Sequence, residues 1–343
     1  MGTNHMGRQS IRFPQPPVVR GFASVAGKKE REGPLGDQFT ATVQDTTFGE
    51  KSWEQAERRM QQMTLELALE KAGLTDADLD AAFAGDLLNQ CIGSSFSLRN
   101  RGVPTLGLYG ACSTMAESLL LAAMSVSGGY ARTALAMTSS HFASSERQYR
   151  FPLGYGGQRT PTSQWTVTGA GAVLLGGGER GIRITAATIG SIVDRGICDA
   201  NNMGAAMAPA AAATLLHYLK DTGSAPADFD RIYTGDLGHV GSQLLRDLLA
   251  AEGLLLKNHV DCGCILYDAA EQTVKSGGSG PGCCASVLCG HILPRLEKGT
   301  QKRVLFIATG ALMSQMTFLQ KESIPAIAHL VELRSPQQKE ENG

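Results

Sequence analysis

The 343 residues contain no apolar run near the ~20 that a membrane-spanning helix needs. The longest candidates, Leu119–Met124 and the Ala-rich Gly204–Leu216, are too short or too weakly apolar. Charge of one sign is also missing: Lys+Arg 31 stand against Asp+Glu 32, and no stretch gathers the cations that neutralising a phosphate backbone requires, so nucleic acid is not an expected partner. Low-complexity tracts and sustained heptads are absent. The segment Met1–Arg20 is polar and Pro-rich without an apolar centre. It does not read as a secretory signal, and Met6 offers an alternative start behind a short leader. The eight cysteines include no Cys-x-x-Cys pair, which argues against a structural zinc site even where His259, Cys262, Cys264, Cys283, Cys284, Cys289 and His291 crowd together. In a reducing compartment these are expected as buried thiols rather than disulfides, with no resident metal.

What is present is a globular composition, 43% hydrophobic with 41 glycines, long enough for about two domains or one large α/β unit. It carries an internal echo. Asp78–Asp86 and Asp228–Asp236 share an acidic start, an apolar run and Gly-Asp; Gly110-Ala-Cys112-Ser113 is followed later by Gly282-Cys283-Cys284-Ala285; Arg132–Thr138 is matched by Arg303–Thr309. The offset grows between the first echo and the other two, which places an insertion in the second copy between Ser242 and Gly282. Repeats of this length mean paired halves rather than a solenoid. We take the halves as residues 1–190 and 191–343, joined near Thr188–Asn202.

Each half alternates helix and strand. In Ser52–Ala72 the residues Ala56, Met60, Met63 and Leu67 form one apolar face, and Gly73 supplies the C-cap. Strands are expected at Ala81–Ala84, through Tyr109 and at Thr133–Met137, with closing strands at Val167–Leu175 and Ile182–Thr188; a helix is expected over Ser113–Ser127. The second half repeats the order with Ala206–Lys220, Arg231–Thr234, Gly241–Glu252, Cys284–Lys298, Val304–Ala308 and Ile327–Leu333. Met203–Pro209 reads as a tightly packed entry to a helix. Short apolar strands between helices imply a parallel sheet covered on both faces. The charged tail Ser335–Gly343 is expected to be disordered.

Ligands of α/β sheets collect beyond the carboxyl ends of the strands, so the residues there are the candidates. They are Asp86 and Asn89, then Cys112 and Ser113, then Ser140 and His141, and in the second half Asp236 and His239. Cys112 stands out. A strand, a small-residue turn and an apolar helix would put its sulfur at a helix N-terminus, where the dipole and free N–H groups favour thiolate. That is the geometry of a nucleophile, and the alternative is a buried small thiol in a close turn. The glycine run Gly277–Gly280 lacks the Lys-Ser/Thr of a phosphate loop.

Gly110-Ala-Cys-Ser-Thr-Met115 after an apolar strand resembles the nucleophile turn of the thiolase and ketoacyl-synthase superfamily. Within it the chain resembles the stage V sporulation protein AD family of spore-forming bacteria. The resemblance runs from Phe13 to Leu333 through Lys29–Gly36, Ala84–Gln90, Thr138–His141, Glu146–Arg150 with Tyr155–Gln158, Met203–Ala211, Thr234–Leu237, Asp261–Gly263, Gly277–Gly280 and Ile324–His329. It implies a layered αβαβα thiolase-like fold of two pseudo-symmetric βαβα halves, a homodimer, and no condensation chemistry. The implied activity is binding of dipicolinic acid (pyridine-2,6-dicarboxylate) during its uptake into the developing spore. The implied setting is peripheral, at the forespore or spore inner membrane, in a complex with other stage V sporulation A proteins.

The residues permit a check on that implication. Condensing enzymes pair the cysteine with His or Asn from the second half. Here Gly235-Asp236 stand where the histidine is common, and Gly277–Gly282 replace the asparagine turn. An ionised Asp236 only accepts hydrogen bonds and would raise the thiol pKa. His239 could still serve Cys112, which keeps an acyl-transfer or condensing enzyme open as the second reading and a pure scaffold as a third. A flat dianion asks for donors and cations: backbone N–H groups at Cys112–Thr114, the side chains of Ser113, Ser140 and His141, and Arg147, Arg150 or Arg159 from the loop Ser144–Arg159. Each of these arginines can equally be a solvated surface charge. Asp86 and Asp236 fit such a ligand if Ca²⁺ accompanies it, if one is protonated, or if they only brace the strand ends. No other cofactor is expected.

Overall fold

The computed structural model describes residues 4–149 and 159–336. The readings made above for Arg150, for 151–158 and for the tail from 337 onward lie outside the described residues.

The first series runs β1 (Val18–Ala26), α1 (Trp53–Ala72), β2 (Ala81–Gly85), α2 (Ile92–Leu98), β3 (Thr105–Gly107), α3 (Thr114–Ser127), β4 (Thr133–Ser140), α4 (Phe142–Tyr149) and β5 (Gly169–Gly176). The second runs β6 (Arg183–Thr188), α5 (Met203–Thr222), β7 (Arg231–Thr234), α6 (Gly238–Ala251), β8 (His259–Asp261), α7 (Pro281–Val287, continued through a π turn Leu288–Ile292 into Leu293–Glu297), β9 (Arg303–Ala311) and β10 (Ala326–Arg334). The long outer helices are bounded alike. Ser52 accepts from the Gln55 N–H at 3.3 Å and Asn202 from that of Ala205 at 3.3 Å, while Gly73 and Gly223 end α1 and α5 at φ +65° and +67°.

The strand order is β8-β7-β9-β10-β6-β1-β5-β4-β2-β3. Read outward from the middle, both series give first, fifth, fourth, second, third strand. The duplication seen in the sequence is therefore a duplication of winding. β6 meets β1 through a single register pair, Arg183 with Val18, and the strands Ser10–Arg12, paired with β6, and Trp165–Thr166, paired with Gly278–Ser279, add to the junction. Ile182–Thr188, expected to close the first half, instead takes in the second series the place β1 takes in the first. The sheet is mixed rather than parallel: β2 is parallel to β3 and β4, and β7 to β8 and β9, but β5 and β10 run antiparallel to their neighbours. The strand β1, which the sequence reading did not expect, is buried along almost its whole length. The insertion between Ser242 and Gly282 holds β8, the short helix Cys262–Leu266 and the strand Gly278–Ser279.

Five layers result. α3 packs on β2 and β4 of its own series and on β9 and β10 of the other, and α7 packs on β1, β4 and β5 with Tyr233 and Phe306 in the same cluster. A helix with no solvent face must be small or apolar all round. α3 fulfils this with Met115, Ala116, Leu119, Leu120, Ala122 and Ala123, and every residue of Pro281–Val287 is buried. That explains Cys283, Cys284 and Cys289 as packing thiols; all eight cysteines are free, and six of them are buried. α1 covers one outer face, on β1 and β5, and α5 with α6 behind it covers the other, on β9 and β10. The face of α1 is rotated from the expected one: Met63 and Leu67 are half-buried, while Glu57, Gln61 and Thr64 are fully buried.

Because α3 is gripped from both sides, Leu119→Ala should cost ~3 kcal/mol, the middle of the range for a core cavity. Leu255→Ala, at a side chain 69% exposed, should shift stability by less than ~0.5 kcal/mol. Urea midpoints of the two variants test this, and equal midpoints would contradict the layer assignment.

Candidate functional site

The carboxyl ends of β2, β4, β7 and β9 and the turn before α3 meet at the seam between the two series. Backbone meets backbone there. A Cβ on Gly310 would lie 2.3 Å from the Gly110 carbonyl, and one on Gly282 would lie 2.3 Å from the Gly169 carbonyl and 2.6 Å from Ser140 Oγ. Glycine at these two positions is what lets the halves approach closely enough to share a site.

Cys112 lies in the 3-10 turn Ala111–Ser113 that leads into α3. The turn holds Ala111 at φ +51°, a conformation that costs about 1–3 kcal/mol for a residue with a side chain. It is braced by Ser113 Oγ donating to the Gly110 carbonyl at 2.7 Å and by Thr114 Oγ1 donating to that of Ala111 at 2.7 Å. Cys112 is 5% exposed and forms part of the wall of a cavity of about 530 Å³. Opposite the thiol stands Asp236. Its Oδ1 accepts from Thr309 Oγ1 at 3.0 Å and its Oδ2 from the Gly280 N–H at 2.9 Å, with Ser279 Oγ at 3.3 Å. Burial pushes Asp236 up to about 7, and burial together with the Asp236 carboxylate pushes the Cys112 thiol well above its ordinary value. The helix N-terminus favours thiolate, but burial, with the Asp236 carboxyl beside the sulfur, outweighs it and favours the protonated thiol.

Of the other sequence candidates, few reach this cavity. Asp86 is buried and turned into its own strand end, accepting from the Leu88 N–H at 2.9 Å and from the Ser94 N–H and Oγ at 2.8 and 2.7 Å. Asn89 is exposed, its backbone N–H on Gln148 Oε1 at 3.0 Å. Ser140 Oγ donates to the Val167 carbonyl at 2.7 Å and accepts from the Gly282 N–H at 3.2 Å, a seam contact. His141 faces away: Nδ1 accepts from the Ala143 N–H at 3.2 Å, Nε2 donates to the Thr46 carbonyl at 2.8 Å, and the ring stacks on Trp53. Burial lowers its pKa, so the imidazole is neutral. Arg147 lies on α4, since Ser144–Tyr149 is helix rather than loop, and pairs with Glu54 at the start of α1. Arg159 donates to the Gln164 carbonyl at 2.8 Å and pairs with Glu146 at 3.4 Å. His239 is exposed in the first turn of α6 with its N–H on the Ser276 carbonyl at 2.7 Å, and it is not part of the cavity wall.

The cavity wall comes mainly from elsewhere: Leu87, Ser145 and Tyr149 on one side, Asn201 and Met203 at the entry to α5, and Met313, Phe318 and Leu319 on the other. Ser145 Oγ is buried there without a hydrogen-bond partner among the described residues. Leu87 and Met313 follow β2 and β9 by two residues, whereas Tyr149, Asn201, Phe318 and Leu319 lie farther from any strand end, and no pattern in the sequence marks them as cavity-lining. Among the described residues no three His, Cys, Asp or Glu side chains come together as a metal cage, and no helix is long and apolar enough to cross a membrane. A larger groove of about 1260 Å³ opens at the opposite ends of the strands, beside Arg183 and Arg334, and contains none of these residues.

Two duplicated five-strand series, a central helix pair and a cysteine at the N-terminus of one central helix define a thiolase-like fold. Solved structures agree on the fold: a variant of OleA from Xanthomonas campestris superposes with a TM-score of 0.60 at 15% identity, covering 96% of this chain and 100% of that one. The 3-oxoacyl-[acyl-carrier-protein] synthase III of Aquifex aeolicus VF5 gives 0.54 at 13% identity, covering 93% and 99%. The chain belongs to the stage V sporulation protein AD family, whose model matches residues 7–334. It is 44% identical over 324 residues to stage V sporulation protein AD of Bacillus subtilis strain 168, covering 94% of this chain and 96% of that protein. Membership supports a role in sporulation.

A second buried carboxylate sits behind Asp86. Glu57 of α1 accepts from Ser139 and Ser144 hydroxyls at 2.8 and 2.7 Å, and burial, with Asp86 beside it, pushes it up to about 8. Between the ordinary carboxyl range and that value the folded chain holds a proton the unfolded chain has released. The stability this contributes is present in acid and lost as pH rises through about 8, and Asp236 acts with the same sign through about 7. The thermal midpoint should therefore fall between about pH 6 and about pH 9, and Glu57→Gln should flatten that fall. A midpoint that rises over this range in the wild-type chain would contradict the assignment.

Proposed function

We propose that this chain is a ligand-binding protein built on a condensing-enzyme fold, and that it binds dipicolinate during uptake into the developing spore. One observation carries the non-catalytic part: Asp236, a hydrogen-bond acceptor with a raised pKa, faces Cys112 where a condensing enzyme needs a group that draws off the thiol proton. The Cys112 S–H, with buried Asp236 as its neighbour, and the Ser145 hydroxyl, unpartnered among the described residues, give the cavity donors that suit a carboxylate, beside the Glu146 side chain that also lines it and pairs with Arg159 at 3.4 Å. Kinship supports the sporulation setting, with other stage V sporulation A proteins as partners at the spore inner membrane and Ca²⁺ arriving with the ligand. The second reading, an acyl-transfer enzyme with Cys112 as nucleophile, draws on the cavity reaching the thiol.

Dipicolinate titration by calorimetry, with and without Ca²⁺, beside acetyl-CoA incubation with intact-mass detection, separates the two. We expect saturable binding that Cys112→Ala weakens about tenfold, the worth of one hydrogen bond to a charged group, and no acyl adduct. Binding should also weaken from about pH 6 to about pH 8 as Asp236 loses its proton, and Asp236→Asn should abolish that dependence. An acyl group on Cys112 without dipicolinate binding would reverse the reading.

We further propose a homodimer formed along β3, an edge strand whose three residues are all exposed and whose Leu106 is 53% and neighbouring Phe96 40% exposed. Leu106→Arg should convert the dimer to a monomer in light scattering. A wild-type chain that is monomeric at micromolar concentration would refute the dimer.

A further inference from the structure

We propose that Leu87–Cys91, the link between β2 and α2, is a strained strap over the thiol cavity, held shut by side chains of α4, and that its opening controls access to Cys112. Leu87 is part of the cavity wall and is 8% exposed, while Asn89 and Gln90 face solvent. The link is therefore a single layer of chain with the cavity on one side and water on the other. Its backbone is costly. Gln90 sits at φ +59°, ψ +25° and Cys91 at φ +52°, ψ +46°. Among the described residues this is the only place where two successive non-glycine residues are left-handed. Such backbone persists only where surrounding contacts over-determine it, and it collects at clamps and switches.

The contacts that hold the strap come mostly from α4 and from the turn after β3. Gln148 grips it twice: Nε2 donates to the Leu87 carbonyl at 2.9 Å, and Oε1 accepts from the Asn89 N–H at 3.0 Å. The Tyr109 and Tyr149 hydroxyls each lie 3.1 Å from the same carbonyl and 3.0 Å from one another. A carbonyl has two lone pairs, so Gln148 and one phenol serve it while the second phenol donates to the first. The Cys91 thiol donates to the Leu108 carbonyl at 3.0 Å. At the near end Asp86 is fixed separately by the Ser94 N–H and hydroxyl at 2.8 and 2.7 Å, and at the far end α2 begins at Ile92. Both ends are anchored, and the movable length is the strap alone. Strain at two residues opposes a few hydrogen bonds whose net worth in water is of the same order, which makes the shut form one of two closely balanced states. The strap governs entry whatever the cavity holds, so it does not rest on the ligand proposed above.

Cys112 reports on entry. Methyl methanethiosulfonate, a small uncharged thiol reagent, is added to the full chain and followed by peptide mass, with the exposed Cys198 as internal standard. Labelling that is slow relative to closing tracks the population of the open form. Gln90→Gly removes strain from the shut form, and we expect it to slow labelling of Cys112 about fivefold, with Gln90→Asn slowing it less. Gln148→Ala removes two clamps and should speed labelling at least about fivefold, and Tyr109→Phe, which deletes one donor and keeps the ring, should speed it less. Hydrogen exchange over residues 87–91 should move with the labelling rate, while Cys198 labels alike throughout. If Gln148→Ala does not fold, Gln90→Gly and Tyr109→Phe, both at exposed side chains, carry the same opposed expectation. Shifts of Cys112 in the same direction in the strain and clamp variants, or none beyond about twofold in either, would overturn the proposal.

Discussion

Everything at the seam depends on burying two helices between two sheets. Thr114–Ala123 of α3 and Pro281–Val287 of α7 are largely or wholly buried, and that constraint fixes the composition of these stretches as mostly small and apolar, with cysteines in α7. It also fixes where their N-termini fall. A central helix entered from the strand ends delivers its first turn to the junction of the two series, so Cys112 arrives beside Asp236 because of layer packing rather than local chemistry. The same packing excludes water from the pair, and exclusion of water favours the protonated form of both groups.

The thiolase-like fold brings a strained turn and a helix N-terminus to the cavity. A buried carboxyl against a buried thiol favours the neutral forms of both. The hydroxyls of Thr309 and Ser279 and the Gly280 N–H all serve Asp236, which makes the acid, not the cysteine, the best-supported side chain of the seam.

The repeat, the strands Arg231–Thr234 and Ala81–Ala84 and the capped helix ending at Gly73 could be read from a local pattern or from the likeness of the two copies, and the opposition of Asp236 to Cys112 from the resemblance to condensing enzymes. What could not be read was side-chain destination. Asp86, Ser140 and His141 do stand at strand ends, yet Ser94, Val167 and Thr46 claim their polar atoms, and those partners lie on other elements. β1 escaped notice because Arg20 and Gly21 interrupt its apolar run and a Pro-rich leader precedes it. The polar stripe of α1 was hidden for a related reason: Glu57 and Gln61 look solvent-facing until Ser139 and Ser97 meet them in the interior.

The glycine contacts at the seam have a mechanical consequence. Where Gly310 rests on Gly110 and Gly282 on Gly169, main chain abuts main chain, and neither series can swing away from the other without opening a void along the junction. The wall of the thiol cavity is thus unequal in kind: abutting main chain along the seam on one side, and on another the short segment Gln315–Leu319, whose Phe318 and Leu319 stand 54% and 72% exposed and whose Gln315 side chain donates to the Gln148 carbonyl of α4.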